Sequence, residues 1–433
     1  MTTFSAETYQ NEYLSEGATE VNAVITVTAV TGGAADASGS AGAAAAPDGT
    51  DRVELIIVDG SGSMGQPPTK IKEARKATQV AVDTLSDGTW FAVVRGANQA
   101  SMVYPPTRGL ALASDATKAE AKAAVSHLNP DGGTAIGTWL LAAKELCAGR
   151  PEAICHAILL TDGRNESQPA HELDAAIAAC VGEFECDARG VGTDWEVREL
   201  RKIAKALLGT VDIVAEPEEL AEDFRAMTET AMGKAVKTVA LRVWAPQGAT
   251  VNFVKQVAPT IQDVTAQAVV VNPLTKDYPT GSWGDESRDY HVCITVNPGP
   301  VGAEMLAGRI SLVVGGEVVS QALVKAMWTD DVALSTRIND EVAHYTGQAE
   351  LADAIQEGLE ARKSGDQELA TAKLGRAVQL AAQAGNDETT KLLSRVVDID
   401  DEATGTVRLK RNVEDADEMA LDTRSTKTIR VRK

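Results

Sequence analysis

The sequence predicts a doubly wound α/β domain inserted in, or followed by, an antiparallel β-sandwich, with a C-terminal helical hairpin and a mobile tail. Three observations carry this prediction. Short apolar runs alternate with helical stretches over 51–234, the apolar period changes to two over 235–330, and helical spacing returns over 331–397. The remaining residues, 398–433, are charged and poor in large apolar side chains, as is typical of a mobile tail.

The first segment, 1–30, contains one clear strand. Residues 19–30 alternate in polarity and are rich in β-branched side chains. Residues 31–50 are mostly Gly, Ala and Ser and predict a flexible linker. A strand that stands alone before the α/β region needs a partner, so we expect it to join the later β-sandwich, with the α/β domain inserted between them.

The apolar runs within 51–234 are typical of buried parallel strands. Examples are 53–58 and 156–162, each followed by a predicted helix. Ligands of such sheets bind beyond the carboxyl ends of the strands. The loops after Val58, Thr161 and Trp195 are therefore where we expect a site.

The two later regions have simpler signals. The strands of 235–330 include a hairpin that the pair Gly315-Gly316 should turn. In 331–397, Leu351, Ile355 and Leu359 recur at helical spacing, which predicts one arm of a helical hairpin.

Composition excludes several functional classes. The chain has 433 residues, enough for about three domains, and 41 Lys and Arg against 62 Asp and Glu, a net charge of −21. Nucleic acid and anionic lipid surfaces would repel such a chain. Without a signal peptide or a run of the ~18 apolar residues that a membrane span needs, we expect a cytoplasmic protein. Its five cysteines are sparse and odd in number, which predicts reduced thiols.

Five oxygen-bearing side chains point to a metal site. Asp59, Ser61 and Ser63 form the pattern D-x-S-x-S as the chain leaves a buried strand. Thr134 follows two glycines at the start of a predicted helix, and Asp162 ends another apolar strand. Small divalent cations such as Mg²⁺ and Mn²⁺ prefer oxygen ligands, so these segments together predict a site for one of them.

Other chemistry fits the sequence less well. The glycine-rich turn is not a phosphate-binding loop, because Gln66-Pro67 stands where Lys and Ser or Thr are required. Ser63 lacks the flanking glycines of a nucleophile elbow. The five histidines have no metal-ligand spacing, the acidic run at 398–401 lacks the glycine of a calcium loop, and Cys180 and Cys186 are interpreted as isolated thiols.

Residues 51 to about 230 resemble a von Willebrand factor A domain, a Rossmann-like fold, with its metal-ion-dependent adhesion site. The D-x-S-x-S, the Thr of GGTAIG and the Asp of LLTDG make up all the elements of that site. The whole chain also resembles bacterial proteins of this family associated with tellurite resistance and stress responses. Those proteins are associated with Ser/Thr kinases and phosphatases.

The resemblance implies a role for each residue. Ser61, Ser63 and Thr134 would bind Mg²⁺ or Mn²⁺ directly, whereas Asp59 and Asp162 would hold it mainly through water. The sixth position would then remain for an acidic group of a protein partner.

These residues favour protein binding over catalysis, because no general base or nucleophile is positioned beside the predicted cation. We therefore expect a non-enzymatic scaffold. Two alternatives stay open, a partner subunit of a chelatase-like or AAA+ ATPase and a hydrolase that uses the cation to activate water. Asp131, Asp194 and Trp195 lie on loops predicted to rim the site, where they would contact the partner or serve only loop structure.

A second hypothesis concerns the C-terminal segment. Thr406 and Thr428 each stand three residues before an aliphatic residue, and Thr423 and Thr426 lie nearby. Phosphorylation there would create a site for a phosphothreonine reader such as a forkhead-associated (FHA) domain. The alternative is a disordered tail without this role.

Overall fold

The described chain divides into two units, one from residues 2–32 and 238–430 and the other from residues 50–237. In this computed structural model the described residues are 2–32 and 50–430. Most of the predicted linker, 33–49, lies outside them.

Three strands precede the linker: β1 (Thr2–Gln10), β2 (Tyr13–Ser15) and β3 (Glu20–Thr31). β3 corresponds to the strand expected at 19–30. The sequence analysis missed β1, whose residues are only half-buried or exposed. It forms because it pairs antiparallel with β3 from Thr2 to Gln10.

The unit 50–237 contains seven strands: β4 (Arg52–Asp59), β5 (Trp90–Gly96), β6 (Ser101–Tyr104), β7 (Ala111–Leu112), β8 (Ile154–Thr161), β9 (Glu185–Val191) and β10 (Val211–Val214). They form one sheet with the order β10-β9-β8-β4-β5-β6, and β7 lies beside β5. It is parallel except for β6 and β7, which run antiparallel to β5. This confirms the predicted α/β architecture.

Six helices accompany this sheet: α1 (Pro68–Thr84), α2 (Asp115–Ser126), α3 (Ile136–Ala148), α4 (Ala170–Cys180), α5 (Val197–Ala206) and α6 (Leu220–Met232). α1 packs against α2 and α6, whereas α3 packs against α4. All eight residues of β4 are buried between β5 and β8. The chain leaves β4 toward β5 and later returns on its other side as β8, so the strand order reverses there. Ligands of open α/β sheets collect at such a point.

The other unit continues after residue 237 with eight strands: β11 (Val239–Trp244), β12 (Thr250–Ala258), β13 (Gln262–Asp263), β14 (Val269–Asn272), β15 (Thr275–Pro279), β16 (Glu286–Thr295), β17 (Glu304–Val314) and β18 (Glu317–Thr329). They form two sheets with β1–β3, in the orders β1-β3-β16-β12-β13 and β14-β15-β11-β17-β18-β2. β3 pairs antiparallel with β16 over ten residues. The second sheet differs from the antiparallel expectation, because β2 runs parallel to β18.

The hairpin between β17 and β18 turns at Gly315 and Gly316, as predicted. Their φ angles are 57° and 89°, in the left-handed region that this tight turn requires.

The helices that follow are α7 (Val332–Ser335), α8 (Asp340–Ser364), α9 (Gln367–Ala384) and α10 (Asp387–Val396). α8 and α9 pack against each other across a turn at Gly365, whose φ is 83°. Gly358 of α8 has no room for a side chain, since a Cβ there would stand 2.8 Å from Leu374 of α9. None of the helices in the described ranges could span a lipid bilayer.

The prediction of a mobile charged tail is wrong for residues 398–430. They form β19 (Val397–Asp401), β20 (Thr406–Leu409) and α11 (Asp415–Arg424). Val407 and Leu421 are buried, and Arg362 of α8 binds Glu418 at 2.6 Å. The few apolar side chains of this segment lie against α8, α9 and α10, so a charged composition did not prevent folding.

Candidate metal centre

The predicted site lies where β4 and β8 end side by side. Val58 and Leu160 are paired in the parallel ladder, so Asp59 and Asp162 follow from adjacent strands. Both aspartates are 0% exposed. Two carboxylates thus meet in a buried position at the point where the strand order reverses.

Asp59 is held by two hydrogen bonds. Its Oδ1 accepts from the Ser61 amide at 2.7 Å, and its Oδ2 accepts from the Thr161 hydroxyl at 2.6 Å. Burial raises the pKa of Asp59 to about 6, against the lowering effect of these bonds, and the neighbouring Asp162 contributes to the rise. Asp59 makes no salt bridge with any described residue.

The two serines connect this loop to Asp162. Ser61 Oγ lies 2.9 Å from Ser63 Oγ, and Ser63 Oγ donates to Asp162 Oδ1 at 2.7 Å. The structure thus brings the D-x-S-x-S loop and the end of β8 into direct contact.

Thr134 joins them from the start of α3. A Cβ on Gly163 would stand 3.3 Å from Thr134 Oγ1 and 3.7 Å from Ser63 Oγ, so both hydroxyls lie close to this glycine. Backbone bonds connect the loops that carry them, from Gly62 N to Gly132 O at 2.9 Å and from Asp131 N to Gly60 O at 2.7 Å.

Three hydroxyls and two carboxylates therefore converge, and this all-oxygen set fits a small hard cation such as Mg²⁺ or Mn²⁺. Within residues 2–32 and 50–430, no cluster of three or more His, Cys, Asp or Glu side chains is arranged to bind a metal. A metal at this site would thus depend on the hydroxyls.

Sequence reasoning missed Lys70 of α1. Its Nζ lies 2.8 Å from Asp162 Oδ2 and 3.3 Å from Asp194 Oδ2. Burial lowers the pKa of Lys70, but the two carboxylates more than offset this and the net shift is upward, so the ammonium stays charged. A signal was present, because Lys70 falls four residues before Ala74 on the apolar face of α1, where a lysine is rarely buried without a partner.

Arg95 is a second missed residue. Its guanidinium donates to Gly60 O at 2.8 Å and also to Asp131 O. It thus joins the D-x-S-x-S loop to the loop before Thr134. Nothing in the local sequence around Arg95 indicates this role, since both acceptors are backbone carbonyls of distant segments.

The three expected rim residues do not share one environment. Asp131 and Asp194 are exposed beside the site. Trp195 is 2% exposed, and its indole donates to Gly192 O at 2.9 Å. A Cβ on Gly190 would stand 1.8 Å from the indole, so Trp195 is a packed part of the loop and cannot contact a partner at the rim.

The proposed phosphorylation sites also differ. Thr406 is exposed on β20, whereas Thr426 and Thr428 are half-buried. The Thr428 hydroxyl donates to Val257 O at 2.6 Å. Thr423 is 1% exposed within α11 and donates to Met419 O, so the expectation of accessibility is wrong there.

Comparisons with known proteins agree with the fold. The von Willebrand factor type A domain family matches residues 54–213, and the von Willebrand factor type A C-terminal domain matches 379–425. The solved ArnB paralog VWA2 of Sulfolobus acidocaldarius is 12% identical, with 98% of each chain covered and a TM-score of 0.58, which shows the fold alone. An uncharacterized Synechocystis protein is 29% identical over 221 residues, so the match spans 50% of that curated relative and 49% of this chain.

One solved structure is much more similar. The von Willebrand factor type A protein from Catenulispora acidiphila is 50% identical, has a TM-score of 0.93, and the match covers 99% of this chain and 98% of that one. The chain therefore belongs to the von Willebrand factor type A family.

Proposed function

We propose that this protein is a scaffold that binds a protein partner through a divalent cation. Asp59, Ser61, Ser63, Thr134 and Asp162 would hold Mg²⁺ or Mn²⁺ in an intact metal-ion-dependent adhesion site. When bound, the cation would supply a Lewis-acidic docking point for a carboxylate of the partner.

One observation carries the proposal. Two fully buried carboxylates lie among three hydroxyls, and among the described residues only Lys70 brings a positive charge to them. The ammonium binds Asp162, so Asp59 has no cation of its own and burial raises its pKa to about 6. A buried carboxylate of this kind favours the uptake of a cation.

The same contacts support a binding role over an enzymatic one. Both oxygens of Asp59 already accept hydrogen bonds, and the Lys70 ammonium is paired with two carboxylates. Proton abstraction by Asp59 or nucleophilic attack by Lys70 would compete with these contacts, which supports binding over hydrolysis.

Titration calorimetry of the full chain with Mn²⁺ tests the site. The wild type should bind one ion, and Asp59→Ala and Thr134→Ala should abolish binding without loss of the fold. Thr138→Ala is the matched control, since it removes a hydroxyl one turn further along the chain that bonds only to Ala135 O. A wild type that binds no Mn²⁺, or a Thr134→Ala variant that binds it equally well, would overturn the proposal.

We further propose that the partner belongs to a cytoplasmic stress or Ser/Thr-phosphorylation pathway of the tellurite-resistance type. The resemblance of the whole chain supports this, and the exposed Thr406 is compatible with it. Affinity capture with Mn²⁺ or with EDTA, followed by mass spectrometry, tests the pathway. Metal-dependent recovery of a kinase, phosphatase or FHA-domain protein is expected, whereas recovery of an AAA+ ATPase would favour the alternative partner.

A further inference from the structure

The start of α3 has an unusual set of hydrogen bonds. Its N-cap residue, Ala135, offers no side-chain acceptor. Helix N-termini leave several N–H groups without intrahelical partners, and these need acceptors from outside. Here five consecutive N–H groups donate to other segments: Gly133 to Asn98 Oδ1, Thr134 to Ser167 Oγ at 3.1 Å, Ala135 to Ala97 O at 3.1 Å, Ile136 to Asn165 Oδ1 at 2.9 Å and Gly137 to Gln168 Oε1 at 2.9 Å.

Three of these acceptors come from one short loop. Asn165, Ser167 and Gln168, which we call the clamp, lie within the five residues that follow Gly163. The clamp is tied to Thr134 twice, because the Ser167 amide also donates to Thr134 O at 2.9 Å. The loop that follows one proposed ligand, Asp162, is therefore hydrogen-bonded to the backbone of another, Thr134.

The clamp is itself held in place. Asn165 is 8% exposed. Its backbone N–H donates to Glu199 Oε2 at 3.1 Å, and its side-chain Nδ2 donates to Gln168 O at 3.1 Å. Asn165 thus links its own loop, α3 and α5. A side chain with both its acceptor and its donor engaged has little freedom to move.

The glycines opposite the clamp show how closely it packs. A Cβ on Gly133 would stand 2.0 Å from Ser167 Oγ, and a Cβ on Gly137 would stand 2.5 Å from Gln168 Oε1. A larger residue at either position would push the clamp away from α3. The close packing of the clamp therefore accounts for the absence of a side chain at Gly133 and Gly137, two of the glycines in the run GGTAIG.

We propose that Asn165, Ser167 and Gln168 are positioning residues for the metal site, which keep Thr134 at a set distance from Asp162. This inference rests on the proposed function, because it assigns the clamp a role in metal affinity. None of the three is a proposed ligand. They act through the backbone of Thr134, in the way that outer hydrogen bonds orient metal ligands elsewhere.

The test combines Mn²⁺ titration with amide hydrogen exchange of the metal-free full chain. The double variant Ser167→Ala/Gln168→Ala should bind Mn²⁺ about tenfold more weakly. Exchange at Thr134 and Gly137 should rise about tenfold, while the unfolding temperature of the chain changes little. Ser167→Thr in place of Ser167→Ala keeps the acceptor and should restore most of the affinity.

Ser126→Ala is the control, since it removes a hydroxyl that bonds only to Ala123 O within α2. If the double variant does not fold, Gln168→Ala alone provides the test, because this side chain is only half-buried. Faster exchange with unchanged Mn²⁺ affinity would overturn the positioning role and leave the proposed function intact. A wild type without Mn²⁺ affinity would overturn both, and unchanged exchange would show that there is no clamp.

Discussion

Lys70 Nζ lies 2.8 Å from Asp162 Oδ2, so a lysine ammonium already binds one carboxylate of the proposed metal site. Ser63 holds the other oxygen, Oδ1, at 2.7 Å. The ammonium therefore binds Oδ2, the carboxylate oxygen to which the Ser63 hydroxyl does not donate. It balances one buried charge, and it would repel a dication bound nearby.

Replacing Lys70 separates its stabilisation of the buried Asp162 from its repulsion of a bound dication. Lys70→Met keeps the length of the side chain and removes its charge. We expect Mn²⁺ affinity to rise about tenfold, because the repulsion is gone. Without metal, the free energy of unfolding should fall by about 3 kcal/mol, because Asp162 is left buried without its partner. Calorimetric titration and unfolding scans in EDTA measure both, and Lys72→Met, whose lysine side chain is 77% exposed, is the control. Weaker Mn²⁺ binding by Lys70→Met would mean that the lysine orients Asp162 instead.

Gly163→Ala tests the space between the hydroxyls. The added methyl would lie within 4 Å of Thr134 Oγ1 and Ser63 Oγ. It would therefore crowd two of the oxygens that are proposed to bind the cation. We expect Mn²⁺ affinity to fall tenfold or more, with the unfolding temperature in EDTA unchanged. Gly62→Ala is the matched control, since its methyl would meet only Gly132 O at 3.6 Å. Equal affinity of Gly163→Ala and the wild type would place the cation elsewhere.

A buried histidine should make stability depend on pH. His156 of β8 lies between Glu54 and Asp187, at 2.9 Å and 3.1 Å. Burial lowers its pKa, but the two carboxylates outweigh this and hold the pKa well above 6.5. A raised histidine pKa stabilises the fold fully below the unfolded value of about 6.5, and this contribution is lost as pH rises toward the folded value.

The wild type in EDTA should therefore unfold at progressively lower temperature as pH rises above 6.5. His156→Gln should be less stable than the wild type at pH 6 by about 3 kcal/mol, because two carboxylates lose their cation. Scanning calorimetry between pH 6 and 9 measures both. His127→Gln, which alters an exposed histidine, should behave as the wild type. A flat pH profile of the wild type would contradict the assigned ion pairs.

A kinase should phosphorylate Thr406 but not Thr423 in the folded chain, because only Thr406 is accessible. Thr406 is exposed, whereas Thr423 is buried in α11 and bonded to Met419 O. A broad-specificity Ser/Thr kinase should modify Thr406 in the folded chain and leave Thr423 untouched, while a peptide of residues 420–433 should accept phosphate at Thr423. Phosphopeptide mapping reads out both, with Thr406→Ala as the control. Phosphate on Thr423 of the folded chain would contradict its buried position.

Much of the fold follows from local patterns. The continuous apolar run that became β4 has all its residues buried, and the turn at Gly315 and Gly316 needed only two adjacent glycines. The segment 398–430 could not be predicted in this way, because its charge outweighs its few apolar residues. Val407 and Leu421 are buried only because helices from earlier in the chain pack over them.

The sequence alone predicted the five proposed ligands and their place at the carboxyl ends of two strands, because a short motif and strand periodicity are local properties. Only the tertiary structure placed Lys70 on Asp162, Arg95 across two loops and Ser167 on Thr134. Each of these contacts joins residues more than thirty positions apart, and two of them end on backbone groups that any residue type would supply. Side-chain chemistry in the sequence therefore does not encode them, and the packing of the strands and helices decides them.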